Sequence, residues 1–230
     1  MKFIKGDNEI IASHMKYPDA ITYGTKEGNQ YRATDLTVSK TGTTFTVTSP
    51  DGDSAEYTTK LVGQHNVENI VGAIACANCM GIPLGKLRPA VRRLQPVPHR
   101  LELVQHGAVS ILDDAYNSNP AGAKVALDTL ALFTDTVKVL VTPGMVELGE
   151  KEAEYNKEFG KQAAAVCDYI ILVGNQTQPI ADGVVEAGFD KEKLFVKDTL
   201  AEATGLMYEL DCGKEKVILL ENDLPDNYTK

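Results

Sequence analysis

Hydrophobic positions in the first sixty or so residues recur at short, partly alternating intervals. KFIKG, DAITYG, YRATDLTVSK, TTFTVTSP and SAEYTTKLV carry β-branched and aromatic residues, punctuated by TGT and PDGD. Such a period suits half-buried strands, and PDGD between two of them predicts a tight hairpin corner. From Asn66 to Met80 the period changes. Val67, Ile70, Val71, Ile74, Ala75 and Cys79 fall at i, i+3, i+4 spacing, which predicts a helix with one apolar face. A second helix is predicted over roughly Leu84 to Leu94. Pro96 and Pro98 then disfavour helix and place a domain boundary there, with residues 1–96 before it and 97–230 after it.

Beyond Pro98 the pattern changes again. RLELV, VSILDD, KVLVTPG, YIILVG, KLFVK and KVILLEN are short, nearly continuous apolar runs, separated by helical segments at about 121–133, 150–166, 178–187 and 199–210. Apolar strands alternating with helices predict a Rossmann-like α/β unit: a mostly parallel sheet covered by helices on both faces. The preceding residues form a β-rich and helical segment of different design. In doubly covered sheets ligands gather outside the carboxyl ends of the strands. The polar clusters stand at those ends: DDAYNSNP, TPGMVELGE, VGNQTQP and ENDLPDNY.

Composition narrows the function. The 230 residues carry a formal net charge of -9 with 43% hydrophobic and 24% charged residues. That balance argues against a nucleic-acid binder, whose affinity needs clustered Lys and Arg. The one dense basic cluster, Lys86, Arg88, Arg92 and Arg93, reads as a solvated helix face. No apolar run is long enough for a membrane span and no signal peptide is visible at the start, so a cytoplasmic location is expected. Cysteines stand at 76, 79, 167 and 212. Cys76 and Cys79 form C-x-x-C within a helical stretch, without a second pair or histidines at zinc spacing; small buried helix residues are expected.

Two polar stretches carry the candidate chemistry. In GQHNVENIVGAI, residues 63–74, Gly63 permits close backbone approach, and His65, Asn66 and Asn69 set hydrogen-bonding groups around a helix start. Asn66 can be the helix cap or a ligand contact. In DDAYNSNP, residues 113–120, Asn117, Ser118 and Asn119 before Pro120 are cap and turn material. A cap needs one residue, and this corner holds six polar ones. The surplus is read as ligand-facing, with Asp113 and Asp114 placed to accept sugar hydroxyls. Arg100, just after the prolines, can reach a phosphate or make a surface ion pair. Glu147 and Glu150 stand where a helix start would favour carboxylates.

Four motifs in order, GQHNVEN at 63–69, PVPHRLE at 96–102, DDAYNSNP at 113–120 and GMVELGE at 144–150, resemble the Mur ligase family. These are ATP-dependent amide-forming enzymes of peptidoglycan precursor synthesis, and the likeness is greatest to the branch that adds D-alanyl-D-alanine. KGDNEII is similar to a strand end late in the family's central ATPase domain. The resemblance implies that residues 1–96 are the last part of that domain and 97–230 the C-terminal domain. It also implies that the N-terminal and the rest of the central domain lie upstream, with the phosphate loop, the magnesium carboxylate and a modified lysine; no G-x-x-G-K-[ST] occurs in this sequence. The implied cofactors of a whole enzyme are ATP and Mg2+. Its implied substrates are a UDP-MurNAc-peptide and an amine or dipeptide, joined through an acyl phosphate as the C-terminal domain closes over ATP. His65, Asn66, Asn69, Arg100 and Asp114 would contact or order the nucleotide. Tyr116, Asn117 and Asn119 would line the site of the incoming amine, and no catalytic residue is assigned to this chain, which alone is expected to be inactive.

Three departures qualify the resemblance. TPGMVELGE replaces a G-D-M-x-E-L-G form, EYNKEFG lacks a histidine, and LLENDLPDNY replaces a basic K-G-S-R-G type. They point to a divergent branch whose acceptor need not be D-alanyl-D-alanine. Two alternatives stand beside the ligase fragment: a non-catalytic regulatory module that binds a nucleotide or partner, and an unrelated phosphate-binding enzyme.

Overall fold

Alternation in residues 54–59 puts Ala55, Tyr57 and Thr59 inside and Ser54, Glu56 and Thr58 outside, as a sheet with one covered face requires. Strands β1 (Phe3–Lys5), β2 (Ile21–Gly24), β3 (Tyr31–Ser39), β4 (Gly42–Thr48) and β5 (Ser54–Thr59) form one sheet in that order. The first three pair parallel and the last three antiparallel. The chain separates into two compact units, Met1–Gln95 and Pro96–Lys230, in a computed structural model that describes residues 1–13, 16–107, 109–210 and 213–223. Cys212 and the stretch 224–228 of ENDLPDNY lie outside the described residues.

In the first unit a short helix, α1 (Glu9–Ser13), follows β1. It falls on KGDNEII, which was expected to be a strand end alone. The Asn8 side chain accepts the Ile11 N–H at 3.0 Å and starts the turn locally. Helix α2 (Gln64–Cys79) buries Val67, Ile70, Val71, Ile74 and Ala75 against Phe45, Val47 and Tyr57 of the sheet. Helix α3 (Leu84–Arg92) follows, and the Tyr57 hydroxyl, otherwise a buried orphan, donates to the Leu84 carbonyl at 2.8 Å. Cys76 and Cys79 are half-buried on α2, and Cys79 packs against the core with its Sγ 3.5 Å from the Tyr31 hydroxyl. Among the described residues no group of three metal-ligating side chains forms.

The second unit holds β6 (Glu102–His106), β7 (Val109–Asp114), α4 (Pro120–Ala131), β8 (Val137–Thr142), α5 (Glu152–Val166), β9 (Tyr169–Val173), α6 (Gln178–Glu186), β10 (Leu194–Lys197), α7 (Leu200–Glu209) and β11 (Lys216–Glu221). Its sheet runs β10-β9-β8-β11-β7-β6, parallel throughout except for the β6–β7 hairpin at one edge. Ala203 and Met207 of α7 pack on Ile111, Val139, Val141, Ile171 and Ile218. Leu112, Leu140, Ile170, Leu172 and Leu219, which point the other way, are equally buried. Burial on both sides explains why these strands read as continuous apolar runs.

Two details hold this unit together. A Cβ on Gly160 of α5 would lie 2.2 Å from the Ile180 carbonyl oxygen of α6, and one on Gly183 would lie 2.0 Å from that of Lys157. The two helices therefore approach backbone to backbone, which only glycine allows. At the end of α7 the buried Lys216 ammonium bonds the carbonyls of Met207 at 3.1 Å, Tyr208 at 3.1 Å and Leu210 at 2.6 Å, satisfying acceptors that a helix end leaves over. Among the described residues no helix is long and apolar enough to cross a membrane.

Candidate functional site

The candidate residues fall into two groups, one in each unit. In the first unit, α2 starts at Gln64 with Gly63, at φ 91°, as its N-cap and no side-chain cap. Asn66 is thus already inside the first turn, and its amide donates back to the Val62 carbonyl at 2.8 Å. The cap alternative for Asn66 is overturned: the helix begins earlier, because glycine alone relieves the positive φ. His65 is half-buried, and its Nδ1 is buried without a partner. Burial, foremost, lowers its pKa; Glu68 opposes that shift and Lys5 adds to it. Glu68, itself buried, pairs with Lys5 and accepts the Gln64 amide at 2.8 Å.

Asn66 and Asn69 border a cavity of about 450 Å³ between α2 and α3. Ile70, Ala73, Ile74, Leu87 and Val91 supply its apolar walls. Apolar walls with a few amides among them are the usual lining of a small-molecule site. The basic cluster lies on α3 with Lys86, Arg88, Arg92 and Arg93 exposed, and Arg88 bonds the Glu56 carbonyl at 3.0 Å.

In the second unit the two aspartates end β7. Asp113 bonds His99 Nδ1 at 2.9 Å and accepts the Ala115 N–H at 3.1 Å. Asp114 accepts the Leu101 N–H at 3.0 Å. His99 and Leu101 both have positive φ, 58° and 48°, a conformation that non-glycine residues rarely hold without outside support. The aspartates give that support. They clamp the segment that carries Arg100, and its guanidinium lies 4.1 Å over the Tyr116 ring, a favourable cation–π geometry. Tyr116 is 61% exposed, and Asn117 is exposed beside it. Asn119 is the N-cap of α4, accepting the Gly122 N–H at 3.0 Å, with Pro120 at the first helical position. Of the polar surplus, part is structural. Asp113 and Asp114 hold the 99–101 turn as well as facing the strand ends.

Glu147 and Glu150 do not sit in the first turn of α5. Glu147 is a loop residue at φ 63°, and Glu150 lies in a 3-10 turn, Gly149–Lys151, ahead of the helix. The acidic residues of the first α5 turn are Glu152 and Glu154. Gly144 is buried at φ 88°, where a Cβ would meet Ile180 Cδ1 at 2.9 Å and Asn156 Oδ1 at 3.0 Å. Buried Asn156 accepts the Met145 N–H at 2.9 Å and donates to the carbonyls of Met145 at 2.8 Å and Glu152 at 3.0 Å. In EYNKEFG an asparagine therefore anchors the GMVELGE loop.

Sequence reasoning missed a further pair. Ser118, buried, donates to Glu221 Oε1 at 2.5 Å across 103 residues of chain. Asn222, at φ 67°, donates to the Gly144 carbonyl at 2.6 Å, while its N–H bonds the Asp114 carbonyl at 3.3 Å. The signal was a carboxylate closing the apolar run KVILLE, where burial predicts a partner.

A mostly parallel sheet covered on both faces, with polar groups gathered at the carboxyl ends of β7, β8 and β11, defines a Rossmann-like α/β protein, and those strand ends are where such folds take ligands. The chain belongs to the Mur ligase family: residues 99–221 match the family's glutamate ligase domain and residues 1–77 its middle domain. UDP-N-acetylmuramoyl-tripeptide--D-alanyl-D-alanine ligase of Bacillus subtilis (strain 168) is 32% identical over 176 residues, covering 75% of this chain and 38% of that ligase. The Escherichia coli (strain K12) ligase of the same name is 33% identical over 173 residues, 74% of this chain and 38% of its own length. The fold is shared with the crystal structure of MurF ligase from Thermotoga maritima in complex with ADP, at TM-score 0.75 and 21% identity, over 96% of this chain and 49% of that one. The chain spans less than half the length of these relatives.

Proposed function

We propose that this chain is part of an ATP-dependent ligase of peptidoglycan precursor synthesis, acting in the cytoplasm. Within the whole enzyme the carboxylate terminus of a UDP-MurNAc-peptide takes the γ-phosphoryl group of ATP. D-Alanyl-D-alanine or a related amine then attacks the acyl phosphate through a tetrahedral intermediate. The observation that carries this is the corner at the end of β7, where Asp114 holds the Leu101 N–H and Arg100 lies over the Tyr116 ring, just ahead of the Asn119 cap of α4. Arg100 supplies a fixed positive charge for the nucleotide phosphates. Asp114 accepts ribose hydroxyls, and Tyr116, Asn117 and Asn119 face the incoming amine.

In the first unit, the cavity bordered by Asn66 and Asn69 takes the base, with His65 neutral and ordering the helix start. Residues 1–96 are the last part of the central domain and 97–230 the C-terminal domain. Magnesium is assigned to no side chain here: among the described residues no three His, Cys, Asp or Glu groups come together.

The test is activity of the chain alone and joined to whatever precedes it in its reading frame. ADP release from the chain alone should stay at background, as no phosphate loop of the G-x-x-G-K-[ST] type is present in its sequence. The joined protein should release ADP only when both a UDP-MurNAc-tripeptide and an amine acceptor are supplied. Robust ATPase activity of the chain alone would sink this reading. Absence of a phosphate loop upstream or in a neighbouring gene would favour the regulatory module instead.

A further inference from the structure

Glu221 and Asp114 stand side by side. β11 runs parallel to β7 with Glu221 in register with Asp114, and residues in register on neighbouring strands send their side chains to the same face. Glu221 is 1% exposed. Its Oε1 accepts the Ser118 hydroxyl at 2.5 Å, and its Oε2 is buried without a hydrogen-bond partner. A dry carboxylate oxygen with no donor is costly, and two carboxyl groups in one dry place do not both ionise. A single proton held between them answers both problems.

Its place follows from the surroundings. Burial, foremost, pushes Glu221 up to about 8 against the Ser118 hydrogen bond, with Asp114 adding to the rise. Burial also raises Asp114, but the Leu101 N–H, the Arg100 guanidinium and Glu221 itself pull it back, while Asp113 raises it further. Asp114 thus has a cation and a backbone donor on its side, and Glu221 has only a hydroxyl. The proton belongs on Glu221, directed at Asp114. His99 faces Asp113, its partner at 2.9 Å.

We propose that Glu221 is a positioning residue of the β7 corner, sharing its proton with Asp114 and accepting the Ser118 hydroxyl, so that both ends of the 114–118 turn are tied to β11. With Leu101 on one oxygen and Glu221 beside it, Asp114 presents its remaining acceptor capacity in one direction. That use of the brace rests on the nucleotide role proposed for Asp114. The brace itself does not.

The test uses the whole chain with Glu221→Gln and Glu221→Ala. Glutamine keeps an acceptor for Ser118 and an N–H donor for Asp114 without a titrating proton. NMR amide signals of Leu101 and Ser118 should stay in place in Glu221→Gln and move in Glu221→Ala. A carboxyl whose folded pKa is raised contributes stability that is complete at pH values below its ordinary range and is lost as pH rises through the folded value. The melting temperature of the wild type should therefore fall relative to Glu221→Gln between pH 5 and about 9. Parallel pH profiles, or amide shifts in Glu221→Gln as large as in Glu221→Ala, would overturn the brace. If Glu221→Ala does not fold, the profile of Glu221→Gln decides alone.

ATP titrated into the same variants of the joined protein reads the second part. Shifts around 100–119 in the wild type and Glu221→Gln, reduced several-fold in Glu221→Ala, support a brace that serves the nucleotide; equal shifts in all three overturn that service. If ATP moves no corner residue in any sample, the nucleotide reading fails, while the pH profiles still decide the brace.

Discussion

Two polar helix starts, residues 63–69 and 113–120, look alike as text, but their backbone turns are closed differently. At the first, the turn itself is local, Gly63 turning the chain and Asn66 reaching back four residues to Val62, while the Gln64 and Glu68 side chains tie the helix start to Thr25 and Lys5. At the second only the Asn119 cap and the Asp113–Ala115 turn are local. Asp114 holds a backbone N–H thirteen residues earlier, and Ser118 reaches the last strand. A locally closed corner keeps its shape from its own sequence. A corner closed from a distance depends on the sheet that brings β11 beside β7.

That contrast is breakable. Asp114→Ala removes a charged acceptor and leaves the Leu101 N–H without a partner, so the second unit should lose about 2–3 kcal/mol, measured by urea unfolding; a loss below that of the Asn119 cap would show that the distant tie is not what holds this corner. Asn119→Ala should cost about 1 kcal/mol, the usual worth of an N-cap, and hydrogen exchange should locate the loss in the first turn of α4. Asn66→Ala, at a half-exposed position, should cost only about 0.5 kcal/mol. A larger loss there would mean that the two helix starts do not differ as described.

The smallest effect concerns acid. Burial raises the pKa of Asp7, but hydrogen bonds from the Thr25 and Lys26 backbone and the side chains of Thr25 and Asn29 outweigh it and leave it below the ordinary 3.8. A lowered carboxyl contributes stability above its unfolded value and loses it as pH falls through the folded one. Wild-type protein should therefore lose slightly more stability than Asp7→Asn when acidified from pH 5 to about 3. In the second unit Glu221 acts with the opposite sign, losing its contribution as pH rises. Thermal unfolding across both ranges separates the two.

Much of the architecture was legible. Alternation marked β3, β4 and β5, the i, i+3, i+4 spacing marked α2, and continuous apolar runs announced a sheet covered on both faces. Short α1 was missed because five residues carry too little period, and its start rests on one Asn8 side chain. Glu147 and Glu150 were placed in a helix turn that begins later, since a loop at positive φ separates Glu147 from α5. Of the site, the DDAYNSNP corner was visible as a surplus of polar residues, and Asn119 as cap material. That Asp113 and Asp114 also clamp the 99–101 turn was not visible, because hairpin pairing, not sequence distance, brings Leu101 to Asp114.

By itself the sequence determined the periods, the punctuation and hence the elements, because side-chain alternation and helical spacing are local consequences of backbone geometry. Its four motifs also determined the family. The tertiary structure decided which polar groups serve the fold and which stay exposed. Glu221 is an ordinary acidic residue on the page. It became the partner of Ser118 and Asp114 only when parallel pairing carried the last strand to the middle of the sheet and took its carboxyl out of water.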